Sequence, residues 1–177
     1  MPSPAHPLEE TEHELVTFGQ LDLTNADLSK RHFYECTFIG CTLTGAQLAR
    51  TALRDVTFID CDLTGLRFDP CDPLLLTVRF KNCVLDKASF SKLSLKETEF
   101  IRCRLRGADF TQTDLTAALF DDCDLHSAVF EQSVLERADF STATHYALDP
   151  ERNRLKGAQF SWPGVVGLLV KYGIRVK

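Results

Sequence analysis

The chain has 177 residues, of which 44% are hydrophobic, and its formal net charge is −5. This length fits a single domain, and the hydrophobic content argues against general disorder. Nucleic-acid-binding proteins are usually basic, so the charge disfavours that class, and the chain has no run of about 18 apolar residues that would span a membrane.

Residues 1–14 differ in character from the rest of the chain. They contain Pro2, Pro4 and Pro7 together with four glutamates. They have neither the basic start nor the apolar run of a signal peptide, so we expect a cytoplasmic protein. Because proline interrupts regular hydrogen-bonded structure, this segment is predicted to be a mobile leader.

From residue 16 to residue 160, large apolar residues recur at every fifth position. All 13 phenylalanines keep this spacing if one insertion of two residues, within segment 69–74, is allowed for. A period of five matches neither the 3.6 of a helix nor the 2 of a strand. A chain that turns a corner every five residues would satisfy it, with one large side chain on each side pointing inward.

A longer period of 20 residues sorts these positions into four columns. The second column is leucine until His145, the third fails at Pro150, and the fourth runs through Leu75 to Leu155. Like residues are therefore expected to stack in ladders at the strand spacing of about 4.8 Å. The first column is phenylalanine at every position: Phe18, Phe38, Phe58, Phe80, Phe100, Phe120, Phe140 and Phe160.

Several triplets within the repeats carry a family resemblance. Ala26-Asp27-Leu28 and Ala138-Asp139-Phe140 match the A(D/N)Lxx consensus of the pentapeptide-repeat family, which the chain resembles over residues 16–160. The resemblance implies an all-β fold, a right-handed quadrilateral β-helix with 20 residues per coil. We divide the chain into a leader (1–14), this solenoid (15–160) and a C-terminal unit (161–177).

The two extra residues predict a small loop at residues 69–74. The four columns keep their phase across it, so the loop must bulge outward at a corner. Pro70 and Pro73 fit a break in strand pairing there. Cys71 lies in this loop and is predicted to be an accessible thiol.

Six of the seven cysteines stand two residues before a large inward residue. A ladder of metal-binding or redox-active thiols and a buried column of small filler residues are both open explanations. A straight column cannot surround one ion with four thiolates, and side chains in register stand farther apart than disulfides need, so filler is favoured. These cysteines are Cys36, Cys41, Cys61, Cys83, Cys103 and Cys123.

Nothing in the sequence predicts catalysis. It contains no HExxH, GxSxG, Walker or GxGxxG pattern, and we assign no catalytic, cofactor or metal residue. A solenoid interior filled by phenylalanine and leucine leaves no pocket for a substrate. We therefore expect a binding protein rather than an enzyme, with no small-molecule substrate and no direct contact to nucleic acid or membrane.

Segment 161–177 predicts a capping helix followed by a short strand. Ser161 is a candidate N-cap, Pro163 fits the first turn and Gly173 is a candidate stop. The segment has more apolar residues than the single buried stripe of a capping helix can hold. The segment resembles the C-terminus of the quinolone-resistance (Qnr and MfpA) branch, which implies a homodimer; a monomer with a simple cap is the alternative. The expected interface residues are Trp162, Val165, Val166, Leu168, Leu169, Val170, Tyr172 and Ile174.

Residues 109–139 hold eight carboxylates and a single cation, Arg137. In the resistance branch an acidic rod imitates duplex DNA on a type II topoisomerase. The resemblance therefore implies DNA gyrase or topoisomerase IV as partner, modulated or protected from fluoroquinolones, although Arg102 and Arg104 interrupt one acidic corner of the rod. The expected contacts are Asp109, Asp114, Asp121, Asp122, Asp124, Glu131, Glu136 and Asp139.

A second surface suggests a different role. Ile39, Ile59 and Ile101 follow the phenylalanine column and should point outward, where apolar columns can mark a partner site, although aliphatic residues also favour strands for their own sake. The alternative function is a protein-interaction scaffold or toxin-immunity factor without a topoisomerase role. Its contacts would be these isoleucines and the loop residues Pro70, Cys71 and Asp72.

Overall fold

The computed structural model describes residue 8 and residues 10–174, and the chain forms a parallel β-solenoid. Strands of successive coils pair in register, as Phe18 does with Phe38 and Phe38 with Phe58. The predicted all-β quadrilateral β-helix is confirmed. The strands are β1 (Glu12–Glu14), β2 (Thr17–Gly19), β3 (His32–Tyr34), β4 (Thr37–Ile39), β5 (Ala52–Ile59), β6 (Leu76–Lys81), β7 (Glu99–Ile101), β8 (Leu119–Asp121), β9 (Asp139–Phe140) and β10 (Gln159–Phe160).

Four faces enclose one continuous core. We number the faces one to four by the inward residues of coil 1, which are Phe18, Leu23, Leu28 and Phe33. Each coil starts at a face-one phenylalanine, so coil 1 starts at Phe18 and coil 7 at Phe140. Phenylalanines of one face stack on each other, and those of faces one and three meet edge to face. Such offset and T-shaped pairs are the favoured aromatic geometries.

A second, smaller inward position lies two residues before each large one. On face four this position is often polar, and each hydroxyl is satisfied by the backbone. Thr113 donates to the carbonyl of Phe90 at 2.8 Å, and Ser133 donates to that of Phe110 at 2.7 Å. Because buried polar groups need partners, these bonds explain how the core accepts them.

The insertion differs in detail from the predicted two-residue bulge. Leu53 pairs with Leu76, which is three residues beyond the 20-residue register, and Val56 pairs with Val78, which is two beyond it. The chain therefore gains three residues at the loop and loses one after it. Leu76 is buried and Leu75 only partly so, which corrects the prediction that Leu75 fills the fourth column. A 3-10 helix, Pro73–Leu75, forms the tip of the loop.

The solenoid begins earlier than the predicted boundary at residue 15. Strand β1 pairs with β3, His13 is 7% exposed and stacks on Phe33 at 5.1 Å, and Leu8 is buried against the core. The remaining leader residues, 1–7 and 9, lie outside the described part of the chain.

We expect His13→Phe to stabilise the protein. His13 occupies an inward position where the next coils have Phe33 and Leu53, and its Nε2 atom is buried without a hydrogen-bond partner among the described residues. An unsatisfied buried polar atom costs about 1–3 kcal/mol, so its removal should raise the free energy of unfolding by about 1 kcal/mol in urea titrations. His32→Phe, at a partly exposed position on the next coil, is the control; a lower stability of His13→Phe would contradict the interpretation.

The last coil closes with residues out of phase. His145 and Pro150 are exposed, as the broken pattern indicated, and Tyr146 and Leu148 fill the core instead. The Tyr146 ring lies 5.6 Å from both Phe140 and Phe160. The inward residue has moved by one position on face two, from His145 to Tyr146, and by two positions on face three, from Pro150 to Leu148. The core therefore stays continuous.

The predicted C-terminal capping helix is not confirmed. The chain forms two short 3-10 helices, Gly164–Leu168 and Val170–Tyr172. Ser161 does accept from the amide of Gly164 at 3.0 Å, and Gly173 ends the segment with φ 64°. The two glycines inside the segment lie against Tyr146, which favours a tight 3-10 path. Of the predicted strand at 174–176, only Ile174 lies within the described residues, and it is not in a strand.

Among the residues described, no helix has the length and apolar character needed to cross a membrane.

Candidate protein-interaction surfaces

The eight predicted contact carboxylates form a belt rather than a stripe. Asp109, Asp114, Asp124 and Asp139 each lie one residue before a large inward residue, on faces three, four, two and one respectively. A block of acids that is contiguous in sequence winds around the rod, because one coil takes 20 residues. No single face presents all of them.

The four residues that lie before inward residues have a structural role. Each accepts a hydrogen bond from the amide two residues later, for example Asp139 from Ser141 at 2.8 Å and Asp109 from Thr111 at 2.9 Å. Such local bonds are typical of aspartate at turns. Their frequency therefore reflects turn formation as much as surface charge.

Half of the acidic belt is neutralised by the chain itself. Ion pairs join Asp114 to Lys96 at 3.3 Å and Asp124 to Arg106 at 2.6 Å. Partial burial acts to raise the pKa of Asp124, but hydrogen bonds from Arg106 and His145 outweigh it, and the pKa falls below its usual value. The other two pairs are Glu131 with Arg152 and Glu136 with Arg154.

These ion pairs do not follow the 20-residue period of the columns, so the columns do not predict them. Three of the four pairs, such as Lys96 with Asp114 and Arg106 with Asp124, are separated by 18 residues. A cation just after one inward residue meets an acid just before the inward residue of the next coil. A search for cations 18 positions before an acid would have found these two pairs, whereas Arg154 follows Glu136 and Arg152 follows Glu131.

Three carboxylates without an ion pair in the described residues gather on one side of the rod. Asp121 and Asp122 follow Phe120 on face one, and Asp139 precedes Phe140 on the next coil. We call these the face-one acids. Asp109, the remaining unpaired member of the belt, lies on face three.

The predicted isoleucine column lies on the same face. Ile39, Ile59, Lys81, Ile101 and Asp121 are successive partners in the parallel ladder, so the column leads into the face-one acids. The three isoleucines are outward and half-buried. The adjoining corner carries a polar chain in which Arg102 donates to Asn82 at 2.8 Å and Asn82 to Asp60 at 2.9 Å.

The loop presents a different residue from those predicted. Cys71 is 3% exposed, which overturns its prediction as an accessible thiol, and burial raises its pKa to about 12. It takes the small inward position that Thr51 has one coil earlier, so the excursion starts after it. Asp72 caps the 3-10 helix by accepting from the amide of Leu74 at 3.0 Å. Leu74, which is not among the predicted contacts, is 90% exposed.

The other cysteines lie in the core as small side chains. Cys61 donates to the carbonyl of Phe38 at 3.4 Å, and Cys123 to that of Phe100 at 3.2 Å. The neighbouring thiol of Cys123, together with burial, raises the pKa of Cys103 to about 12. In the described residues no group of three or more histidine, cysteine, aspartate or glutamate side chains is placed to hold a metal ion.

The C-terminal segment is attached to the last coil by polar contacts. Lys171 lies 2.6 Å from both Asp149 and Glu151, and the Tyr172 hydroxyl donates to Glu151 at 2.8 Å. Val165, Leu168 and Leu169 are partly buried. The other predicted interface residues are exposed, with Trp162 the most exposed at 88%; they are Val166, Val170, Tyr172 and Ile174.

A model of the pentapeptide repeat region matches residues 12–73 and 75–149, which cover most of the chain. The chain belongs to the pentapeptide-repeat family. No protein of curated function matches this pentapeptide-repeat protein in sequence.

Solved structures of other pentapeptide-repeat proteins share the fold. Trypsin-treated QnrB1, a plasmid-mediated fluoroquinolone resistance protein, is 21% identical with a TM-score of 0.57, over 94% of this chain and 91% of QnrB1. HetL, involved in heterocyst differentiation regulation in the cyanobacterium Nostoc sp., is 17% identical with a TM-score of 0.52, over 85% of this chain and 86% of HetL. At these identities the similarity shows the fold alone.

Proposed function

We propose that this pentapeptide-repeat protein is a non-enzymatic binding protein that contacts a macromolecular partner through face one. The observation that carries the proposal is the union, on one face, of the outward isoleucines and the face-one acids. The core beneath them is a continuous stack of aromatic rings, so the face is held rigidly. A rigid surface binds with little loss of conformational entropy.

The partner that we propose is a type II topoisomerase, DNA gyrase or topoisomerase IV. The fold shared with QnrB1 and the unpaired charge of Asp121, Asp122 and Asp139 support it. The protein would occupy the surface that otherwise binds DNA, without making or breaking a bond. Because ion pairs neutralise half of the acidic belt, the face-one acids would make the electrostatic contact with the partner. Binding that depends on charge should weaken as the salt concentration rises.

The test is DNA supercoiling by gyrase in the presence of a fluoroquinolone, with the purified protein titrated in. We expect supercoiling to be restored, and a double variant Asp121→Asn, Asp122→Asn to lose most of this effect. Asparagine tolerates the left-handed backbone of Asp122 (φ 52°), so folding should be kept. The control is Glu131→Gln, Glu136→Gln, which changes the net charge equally on faces three and four. No effect of the parent protein, or equal loss in both variants, would count against face one as the topoisomerase contact.

We also propose a homodimer formed through the exposed residues of the C-terminal segment. Trp162 is the sole tryptophan and is 88% exposed, so its fluorescence reports directly on this surface. We expect its emission to shift to the blue as protein concentration rises, with a matching rise in mass by sedimentation. Val170→Asp, at a 58% exposed position, should abolish both changes. An unshifted emission and a constant monomer mass would support the simple cap instead.

A scaffold or toxin-immunity role remains the second candidate, and the exposure of Leu74 favours it. A side chain that is 90% exposed on a capped 3-10 turn is suited to enter an apolar pocket of a partner. Leu74→Ser should leave the supercoiling assay unchanged under the first proposal. A variant that loses partner binding through Leu74 alone would favour the scaffold role.

A further inference from the structure

The corner between faces four and one is incomplete in coil 3. In the other coils it consists of one residue with left-handed backbone, such as Glu35 (φ 51°) or Glu97 (φ 58°). Strand β6 runs straight through this position in coil 3 and supplies no such residue. In coil 4 the corner amide of Glu97 donates to the carbonyl of Thr116 on the next coil at 2.9 Å. The equivalent carbonyl one coil earlier is that of Lys96, and coil 3 has no corner amide to donate to it. A surface notch of about 430 Å³ results.

The side chain of one buried residue opens onto this notch. Thr98 lines it and is only 6% exposed. Its equivalents Thr113 and Ser133, at small inward positions of another face, donate to carbonyls of the preceding coil, but Thr98 makes no side-chain hydrogen bond within the described residues. The Thr98 hydroxyl and the Lys96 carbonyl therefore line the notch as acceptors that receive no hydrogen bond from the described residues.

Charged groups complete the rim of the notch. Glu97 and Glu99 are exposed and have no ion pair in the described residues, and Arg79 also lines the notch. The ammonium of Lys96 is drawn to Asp114 at 3.3 Å. The lining is mostly polar, and Val78, Ala117 and Leu119 supply its apolar part.

We propose that the notch binds an arginine side chain of a protein partner. A guanidinium has five N–H donors and no acceptor, and the notch offers three acceptors: the Lys96 carbonyl, the Thr98 hydroxyl and the Glu97 carboxylate. Glu99 offsets the charge of Arg79, so the site does not repel a cation. The side chains of Val78, Ala117 and Leu119 suit the methylene stem of arginine.

This site has a consequence that goes beyond the proposed function. Successive coils present similar surfaces, so a partner that contacts face one alone could bind shifted by one coil. The notch occurs at one coil of the described solenoid and would fix the partner's position along the rod. The inference does not require the partner to be a topoisomerase.

The experiment is a titration of the ¹⁵N-labelled protein with N-acetyl-arginine methylamide, followed by amide chemical shifts. N-acetyl-citrulline methylamide, a neutral analogue of the same shape, is the ligand control. We expect saturable shifts at residues 77–79 and 96–99 with the arginine compound only. Glu97→Gln and Thr98→Val should each weaken binding about tenfold, as loss of a hydrogen bond to a charged group does. Glu35→Gln, the same change at a complete corner, should have no effect.

Two outcomes would overturn the proposal. Shifts that appear at acidic positions on all faces, and that Glu35→Gln reduces as much as Glu97→Gln, would mean unspecific attraction. Absence of shifts at the notch, in a protein whose spectrum shows it folded, would mean that water alone occupies it. Glu97→Gln keeps the size of the side chain at an exposed corner, so it gives an answer even if Thr98→Val perturbs the core.

Discussion

Replacing Phe100 by alanine is expected to lower the free energy of unfolding by about 3–5 kcal/mol, the usual cost of removing a buried phenylalanine. Its ring stacks on Phe80 at 5.2 Å and Phe120 at 4.9 Å, and meets Phe90 and Phe110 edge to face. The cavity cannot collapse easily, because backbone hydrogen bonds fix the spacing of the coils above and below.

Urea unfolding followed by circular dichroism measures this effect. Ile101→Ala is the matched control, since it truncates the next residue on the same strand, but on its outward side. We expect the control to cost less than about 1.5 kcal/mol, because a half-exposed side chain leaves no cavity. Equal losses for the two variants would contradict the assignment of inward and outward positions. In a solenoid, each coil contacts only its neighbours, so Phe100→Ala could also split the unfolding transition.

Gly167→Ala is expected to detach the C-terminal segment from the last coil. A methyl group at Gly167 would overlap the carbonyl oxygen of Tyr146 and lie 2.9 Å from its ring. The carbonyl of Gly167 accepts from the amide of Leu148 at 3.1 Å, and this bond would be lost with the displacement. Tyr146 and Leu148, which close the core, would become exposed to water.

Hydrogen exchange at the amide of Leu148 is the direct measurement. We expect its protection to fall about tenfold or more in Gly167→Ala, while protection in coils 2–5 is unchanged, because local opening need not involve the whole chain. Val166→Ala, on the exposed side of the same 3-10 helix, should leave Leu148 protected. If Leu148 exchanges at the same rate in the two variants, the segment is not held by close packing at Gly167.

Much of the fold could be predicted because a period of 20 residues places like residues in the same environment. The phenylalanine column of face one follows from spacing alone, and the structure stacks every member. The insertion was harder: a gain of three residues and a loss of one appear in the sequence as a gain of two, so Leu75 and Leu76 could not be told apart. Tyr146 and Leu148 escaped detection because they enter the core out of phase.

The candidate site was less predictable, because surface roles depend on diagonal neighbours. The carboxylates of Asp114 and Asp124 are prominent in the sequence, yet cations 18 positions earlier neutralise them. Only the register shows that Asp121, Asp122 and Asp139 stay without an ion pair in the described residues. Thr98 in the notch carries no sequence signal at all, since its environment is set by a residue missing from the coil before it.

The identical columns also limit how such a molecule can change in length. Insertion of a whole coil would place phenylalanine on phenylalanine and leave every other contact intact, so the rod can lengthen in steps of about 4.8 Å. Insertion of five residues would rotate all later faces by a quarter turn and set phenylalanine columns against leucine columns. Growth by duplication is therefore expected in units of 20 residues, and shorter changes are confined to excursions such as the loop before Leu76, where the chain leaves the core and returns in phase.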